Sequence, residues 1–206
     1  GYQPTIFEAL PKIGGLLRTG IPGYRLPKDT TEKEIVNNIL SPFRIEVRTS
    51  TPVNKEVFQD IKKEFQAIFV ATGAQRSKRL GIPGEGAKGV LTGLDFLRMV
   101  NFGQDPGIGK RVAVMGGGNT AIDAAVCARN KGAEVLLIYR RTREDMPAFE
   151  EEIREAERKG IEFHFLTRPS RILSENGHVR RIECQEGEVK GKEREGRSKV
   201  YFSKEA

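Results

Sequence analysis

Arg111-Val112-Ala113-Val114-Met115-Gly116-Gly117-Gly118-Asn119-Thr120-Ala121 is the stretch on which the reading of this chain turns. Val112 to Met115 make a short apolar run, the composition of a buried strand. A G-x-G-x-x-A arrangement follows, and Thr120–Lys131 reads as a helix of small residues with Gly132 as its C-cap. Glu134–Tyr139 reads as a second strand, so Arg111–Arg141 forms one βαβ unit. Glycine triplets are common in turns; the strand before, the helix after and the second strand at this distance single this one out. Gly116 permits the tight turn out of the strand, Gly118 lets a pyrophosphate approach the backbone, and Ala121 lets the helix pack close to the strand. Phosphates would rest on free N–H groups of the turn formed by Gly116, Gly117, Gly118, Asn119 and Thr120, at the positive end of the helix dipole. A glycine-rich turn closing an ordinary βα unit is the competing reading.

The end of the second strand bears on which dinucleotide is bound. A carboxylate there, about 20 residues past the glycines, would bind both ribose hydroxyls of NAD. This chain has Tyr139-Arg140-Arg141-Thr142-Arg143 instead. Guanidinium forks bind a 2′-phosphate through charge-assisted hydrogen bonds, so Arg140 and Arg141 favour NADP(H). A solvated arginine cluster at a helix start is the alternative.

Outward from this unit the chain alternates strands and helices. Gln3–Phe7 reads as a short strand ending at Glu8, Thr30–Leu40 as a helix capped by Thr30 or Thr31 with Ile35, Ile39 and Leu40 on one face, and Arg44–Arg48 as an exposed strand. Asn54–Glu64 is expected to be a helix, Ala67–Ala71 a buried strand and Leu91–Val100 another helix. Leu80–Gly89 and Asn101–Lys110 read as connectors rich in glycine and proline. Pro147 is expected to open a helix through Arg158 with Phe149, Ile153 and Ala156 on one side. Ile161–Leu166 reads as a strand, and Asn176-Gly177 as a hairpin turn between Arg171–Ser174 and His178–Gln185, with Lys199–Phe202 returning as a third antiparallel strand. The fold class is therefore α/β: a Rossmann-like domain with a parallel sheet plus a small antiparallel β-meander.

Composition excludes several classes. No apolar run approaches the roughly 18 residues of a membrane span, and no signal peptide is visible, so a cytoplasmic protein is expected. Cys127 and Cys184 stand far apart, which leaves no zinc or iron–sulfur cage among these residues. The net charge of +7 comes from lysines and arginines scattered among many acids, so nucleic acid is not an expected partner. His164 and His178 are read as structural, and no side chain is nominated as catalytic.

Taken in order, Phe7-Glu8-Ala9, Gly14-Gly15-Leu16, Gly20-Ile21-Pro22, Tyr24-Arg25-Leu26-Pro27, Ala71-Thr72-Gly73-Ala74, Gly116–Ala125 and Tyr139–Pro147 closely resemble the small (beta) subunit family of glutamate synthase. The same flavoprotein module recurs in dihydropyrimidine dehydrogenase and in NADPH:ferredoxin-type oxidoreductases. The resemblance runs from Gly1 to about Cys184. It implies an incomplete FAD-binding domain over 1–92 and an NADP-binding domain over 93–206, with hydride passing from NADPH to FAD and on to an electron acceptor. It implies that Glu8 binds the adenosine ribose of FAD, that Gly15 and Leu16 lie along the flavin, and that Arg25 and the Val53 backbone are near it. The family's first strand with its pyrophosphate loop, and its closing segment, are not among these residues. The chain is therefore expected to be a middle piece of a longer polypeptide, inactive by itself, whose Gln3–Phe7 strand lacks its neighbour and invites self-association. An electron-accepting subunit such as the glutamate synthase large subunit is the expected partner; a nucleotide-binding or interaction module without turnover is the rival.

Overall fold

The computed structural model describes residues 1–193 and 196–203. By compactness the chain divides into two units, Gly1–Gln75 and Arg76–Ala206. In the first, β1 (Thr5–Phe7) pairs in parallel with β2 (Glu46–Arg48). Between them lie α1 (Gly15–Thr19) and α2 (Lys28–Ile35), the latter widening into a π turn at Val36–Leu40. α3 (Lys55–Glu64) starts at Asn54, whose side chain accepts the Val57 N–H. Phe7 meets Phe65 edge-on, and the Arg48 guanidinium sits over the Phe7 ring.

Several expectations for this unit are corrected. β1 has β2 along one edge, and its other edge, expected to be open, is unpaired among the described residues. The strand expected over Arg44–Arg48 is confined to β2, since Arg44 takes the left-handed conformation (φ 50°) that interrupts it. α2 begins at Lys28 rather than at the threonines. Its N-cap is Pro27, and the buried Thr31 hydroxyl donates back to the Pro27 carbonyl. Leu40 is buried, whereas the wider π turn carries Ile39 off that face into solvent. Ala67–Ala71 is not a buried strand: Phe69 is 92% and Val70 70% exposed. An apolar run of this kind is buried only when strands flank it and layers cover both faces, and β1 and β2 pair only with each other.

In the second unit the connector from Arg76 is tied to the hairpin described below: Ile172 N–H donates to Pro83 O, Lys88 N–H to Gly177 O, and Val179 N–H to Lys88 O. α4 (Gly93–Asn101) is capped by the Thr92 hydroxyl, which accepts the Asp95 N–H. β3 (Arg111–Met115), α5 (Asn119–Asn130) and β4 (Glu134–Ile138) form the expected βαβ unit, in register from Arg111 opposite Glu134 to Met115 opposite Ile138. Gly132 follows α5 at φ 90°, as a helix stop requires. α6 (Glu150–Arg158) leads to β5 (Glu162–His164), giving the parallel order β3-β4-β5. α6 starts three residues later than Pro147 because the chain through Phe149 is extended; Ile153 and Ala156 are buried, but Phe149 is 63% exposed.

β6 (Thr167–Glu175), β7 (His178–Lys192) and β8 (Ser198–Phe202) make the antiparallel meander. Asn176 and Gly177 both have positive φ, the mirror-image turn whose twist matches that of a hairpin. The core joins Phe96 and Leu97 of α4, Ile122 and Ala125 of α5, Leu137 of β4, and Ile153 and Ala156 of α6. Leu137 is fully buried at its centre. Leu137→Ala should cost about 2–5 kcal/mol, measured as a lowered urea midpoint with little change in slope.

Candidate functional site: a glycine turn and an arginine corner

β3 ends in a turn whose three glycines do different work. Gly116 has φ 132°, closed to other residues, and a Cβ there would stand 3.3 Å from the Ala121 Cβ. Its N–H donates to the Ile138 carbonyl at 3.0 Å, so it closes the sheet and is not offered to a phosphate. Gly117 is buried; a Cβ on it would stand 2.6 Å from the Tyr139 ring. Gly118 is different. Its backbone is extended, and an added Cβ would meet only Pro147 Cγ, at 3.9 Å. Nothing in the protein's own packing requires a glycine at 118, and its backbone is open to approach from outside. This flank belongs to a cavity of about 1460 Å³ that also touches Thr120, Ala121, Ala113 and Leu136.

The N–H groups of Gly118, Asn119 and Thr120 find no acceptor among the described residues, as at any open helix start. They point the dipole of a 12-residue helix at the same flank. Together with the free space at Gly118 they fit a dinucleotide pyrophosphate. The Asn119 side chain has a second task, its Oδ1 accepting the Phe149 N–H at 3.0 Å. With the Ala148 N–H on Gly117 O at 3.1 Å, this fastens the 139–149 loop to the turn.

The arginines expected to read a 2′-phosphate are unequal. Arg140 is exposed, and its guanidinium makes no hydrogen bond or ion pair among the described residues. Arg141 donates Nε to the Ser198 carbonyl at 3.2 Å and a terminal N–H to Glu193 at 2.7 Å. Burial opposes its charge, but the Glu193 carboxylate outweighs that and holds its pKa above the ordinary arginine value. Arg143 is taken by Glu157 and Glu150, each at 3.0 Å.

In the first unit, Glu8 lies just past β1; its N–H donates to Arg48 O, and its carboxylate accepts the Leu10 N–H at 2.7 Å. Thr51 N–H donates to Glu8 O, which brings the segment leading to Val53 alongside the strand end. Gly15 has φ 48° with open space where a Cβ would be, and Val53 and Arg25 are exposed. Leu16 is half-buried in α1. Gly15 thus offers open backbone and Glu8 a strand-end carboxylate, the groups that the ring edge and ribose of a flavin nucleotide would need.

Three positioning residues escaped the sequence reading. Arg18 is buried, with Nε on Ile13 O and a terminal N–H 2.8 Å from Glu32, and it holds the Gly14–Leu16 loop against α2. No local pattern signals it. Tyr139 packs its ring on Gly117 and donates its hydroxyl to Asp145 O at 2.8 Å. Asp145 accepts from the Thr142 N–H and hydroxyl and from the Ser198 N–H. Here a signal was present: Thr142-Arg143-Glu144-Asp145 has the spacing of a capping box, which the structure contains.

A family model described as pyridine nucleotide-disulphide oxidoreductase matches residues 13–195. The NADP(+)-dependent formate dehydrogenase subunit beta of Moorella thermoacetica is 43% identical over 189 residues, 89% of this chain and 26% of that protein. The glutamate synthase (NADPH) small chain of Escherichia coli K12 is 34% identical over 213 residues, 94% of this chain and 45% of that protein. The chain thus spans about a quarter of the first relative's length and under half of the second's. Mycobacterium tuberculosis FprA in complex with NADPH superposes with a TM-score of 0.80 at 22% identity, covering 98% of this chain and 60% of that one; at this identity the likeness concerns the fold.

Two outcomes test the site. In Asp145, burial works against the carboxylate, and hydrogen bonds from Ser198 and Thr142 overcome it, lowering its pKa to about 2 from 3.8. The stability it contributes is therefore complete above about pH 4 and is lost as the pH falls toward 2, at most about 2 kcal/mol. Acid titration of stability should show this loss in the wild type and lack it in Asp145→Asn. Gly118→Val should leave the circular dichroism and melting temperature nearly unchanged, because its backbone is extended and its surroundings open, yet abolish dinucleotide binding by calorimetry.

Proposed function

The chain belongs to the pyridine nucleotide-disulphide oxidoreductase family, and from that premise we propose that it is the NADPH-binding portion of a flavin-dependent oxidoreductase. The observation that carries the choice of nucleotide is the Arg140 guanidinium just past β4, unpaired among the described residues. β4 is joined to the glycine turn through the Gly116 N–H on Ile138 O, and the corner at its end supports assigning the adenosine ribose there. No acidic residue occupies Tyr139–Arg141, so nothing there is arranged to grip a 2′-hydroxyl as a carboxylate would.

Residues 93–206 are assigned to NADP(H) and residues 1–92 to FAD. Bound together, the two cofactors supply hydride transfer from nicotinamide to flavin. The residues of this chain bind and orient: the N–H groups of Gly118, Asn119 and Thr120 hold the pyrophosphate, and Arg140 the 2′-phosphate. Tyr139 and Asp145 keep the loop that carries Arg140 fixed beneath the turn. On the flavin side Glu8 takes the ribose hydroxyls, Gly15 and Leu16 follow the ring edge, and Val53 presents backbone, with Arg25 close by. No side chain is assigned a proton-transfer role, in keeping with chemistry that resides in the cofactors.

Electrons leave to a partner subunit, for which the relation to the glutamate synthase small chain supports a glutamate synthase large subunit. The higher identity to a formate dehydrogenase beta subunit favours a second reading, in which the acceptor is a subunit of another NADP-linked oxidoreductase.

Arg140→Ala tests the nucleotide assignment. Loss of one exposed, charge-assisted hydrogen bond should weaken NADPH binding by about 1.5 kcal/mol, roughly tenfold. NADH, with a hydroxyl in place of the phosphate, should bind as before. Equal losses for both nucleotides in titration calorimetry would assign Arg140 to the fold, and no loss for either would return it to the solvated surface.

A further inference from the structure

The three arginines of the corner are in three different states. Arg143 is locked between two glutamates of α6, Glu150 and, about two turns further along it, Glu157. Arg140 is free among the described residues. Arg141 is intermediate: its side chain is only 11% exposed, and Glu193, its one ionic partner among the described residues, is 43% exposed.

Glu193 is placed so that it can let go. Its backbone is fixed just past β7, with the N–H on Arg197 O at 2.7 Å and the carbonyl accepting the Gly196 N–H at 2.9 Å. The carboxylate can swing into solvent without moving either bond. Arg141, by contrast, is anchored independently through Nε on the Ser198 carbonyl. The Ser198 N–H is itself held by Asp145. The guanidinium therefore keeps its position when Glu193 leaves, and its terminal N–H groups become available to another anion.

We propose that Glu193 is a specificity-setting residue: it competes with the 2′-phosphate for Arg141 and so limits the preference for NADPH over NADH. This rests on the reading under Proposed function that the 2′-phosphate lies at the Arg140 corner, and adds Arg141 to it. While Glu193 is paired, Arg141 is electrically neutralised. A phosphate bound on the same fork would also lie well inside the Debye length of about 8 Å from the carboxylate, where like charges are poorly screened. NADH carries a hydroxyl at that place and meets neither the competition nor the repulsion. The meander, which takes no part in the glycine turn, thereby acts on cofactor choice through one side chain.

The test is Glu193→Gln in the full chain, with NADPH and NADH titrated by calorimetry beside the wild type and Arg140→Ala. Removing an exposed competing carboxylate should tighten NADPH roughly three- to tenfold and leave NADH within about twofold. Because Arg141 then faces the phosphate with its full charge, NADPH affinity should also fall more steeply with added salt. A merely structural ion pair would change both nucleotides together and leave the salt dependence alone, which overturns the proposal. So does weaker NADPH binding in Glu193→Gln, since Glu193 would then be orienting Arg141 for the phosphate. If Arg140→Ala weakens NADPH while Glu193→Gln does not tighten it, the Glu193 proposal alone falls. If Arg140→Ala leaves NADPH binding intact, the reading of the corner fails and takes the proposal with it.

Discussion

The close approach of α5 and the 139–149 loop to the end of β3 is the constraint from which the rest of the second unit follows. Three backbone segments converge on Gly116 and Gly117, with the Ala121 methyl on one side and the Tyr139 ring on the other. Neither glycine has room for a side chain, so the packing needs no bound ligand to explain it. Once the helix start is fixed in this way, its unsatisfied N–H groups have only one direction in which to point. Gly118, the glycine that the protein itself does not need, stands on that open side. Neighbouring glycines of one turn thus differ: two are required by packing and one is left open.

A similar division governs charge at the corner. Four basic or acidic contacts hold architecture: Arg143 with Glu150 and Glu157, Arg141 with Ser198, and Asp145 with Ser198. The two Ser198 contacts dock the start of β8 against the loop after β4, joining the meander to the βαβ unit, and the Arg143 pairs tie that loop to α6. Hydrogen bonds to the charged Asp145 outweigh its desolvation because they come from both the loop and β8 at once. Of the three arginines, Arg140 alone is left without a partner among the described residues.

The first unit is organised on a smaller scale. Its buried set includes Arg18, Thr19 and Thr31 beside Leu40 and Ile61. Arg18 takes the place that a large apolar side chain would fill elsewhere, and Ile13 O and Glu32 receive its N–H groups. This arrangement orders the Gly14–Leu16 loop through polar contacts, leaving Gly15 with open space on the side assigned to the flavin.

By itself the sequence determined whatever depends on neighbours a few residues apart. The βαβ unit, the Gly132 stop, the Asn176-Gly177 hairpin and the third meander strand were legible because glycine conformation, apolar period and turn chemistry are local. The Thr142–Asp145 capping box was equally local and equally readable. Tertiary structure alone decided which arginine is free, because the partners of Arg141 lie 52 and 57 residues away on the meander. It also decided that Ile68, Phe69 and Val70 face solvent, since apolar sequence marks a strand as worth burying but cannot supply the strands that would flank it. Burial and electrostatic pairing depend on what the fold brings within a few ångströms, and no periodicity along the chain records that.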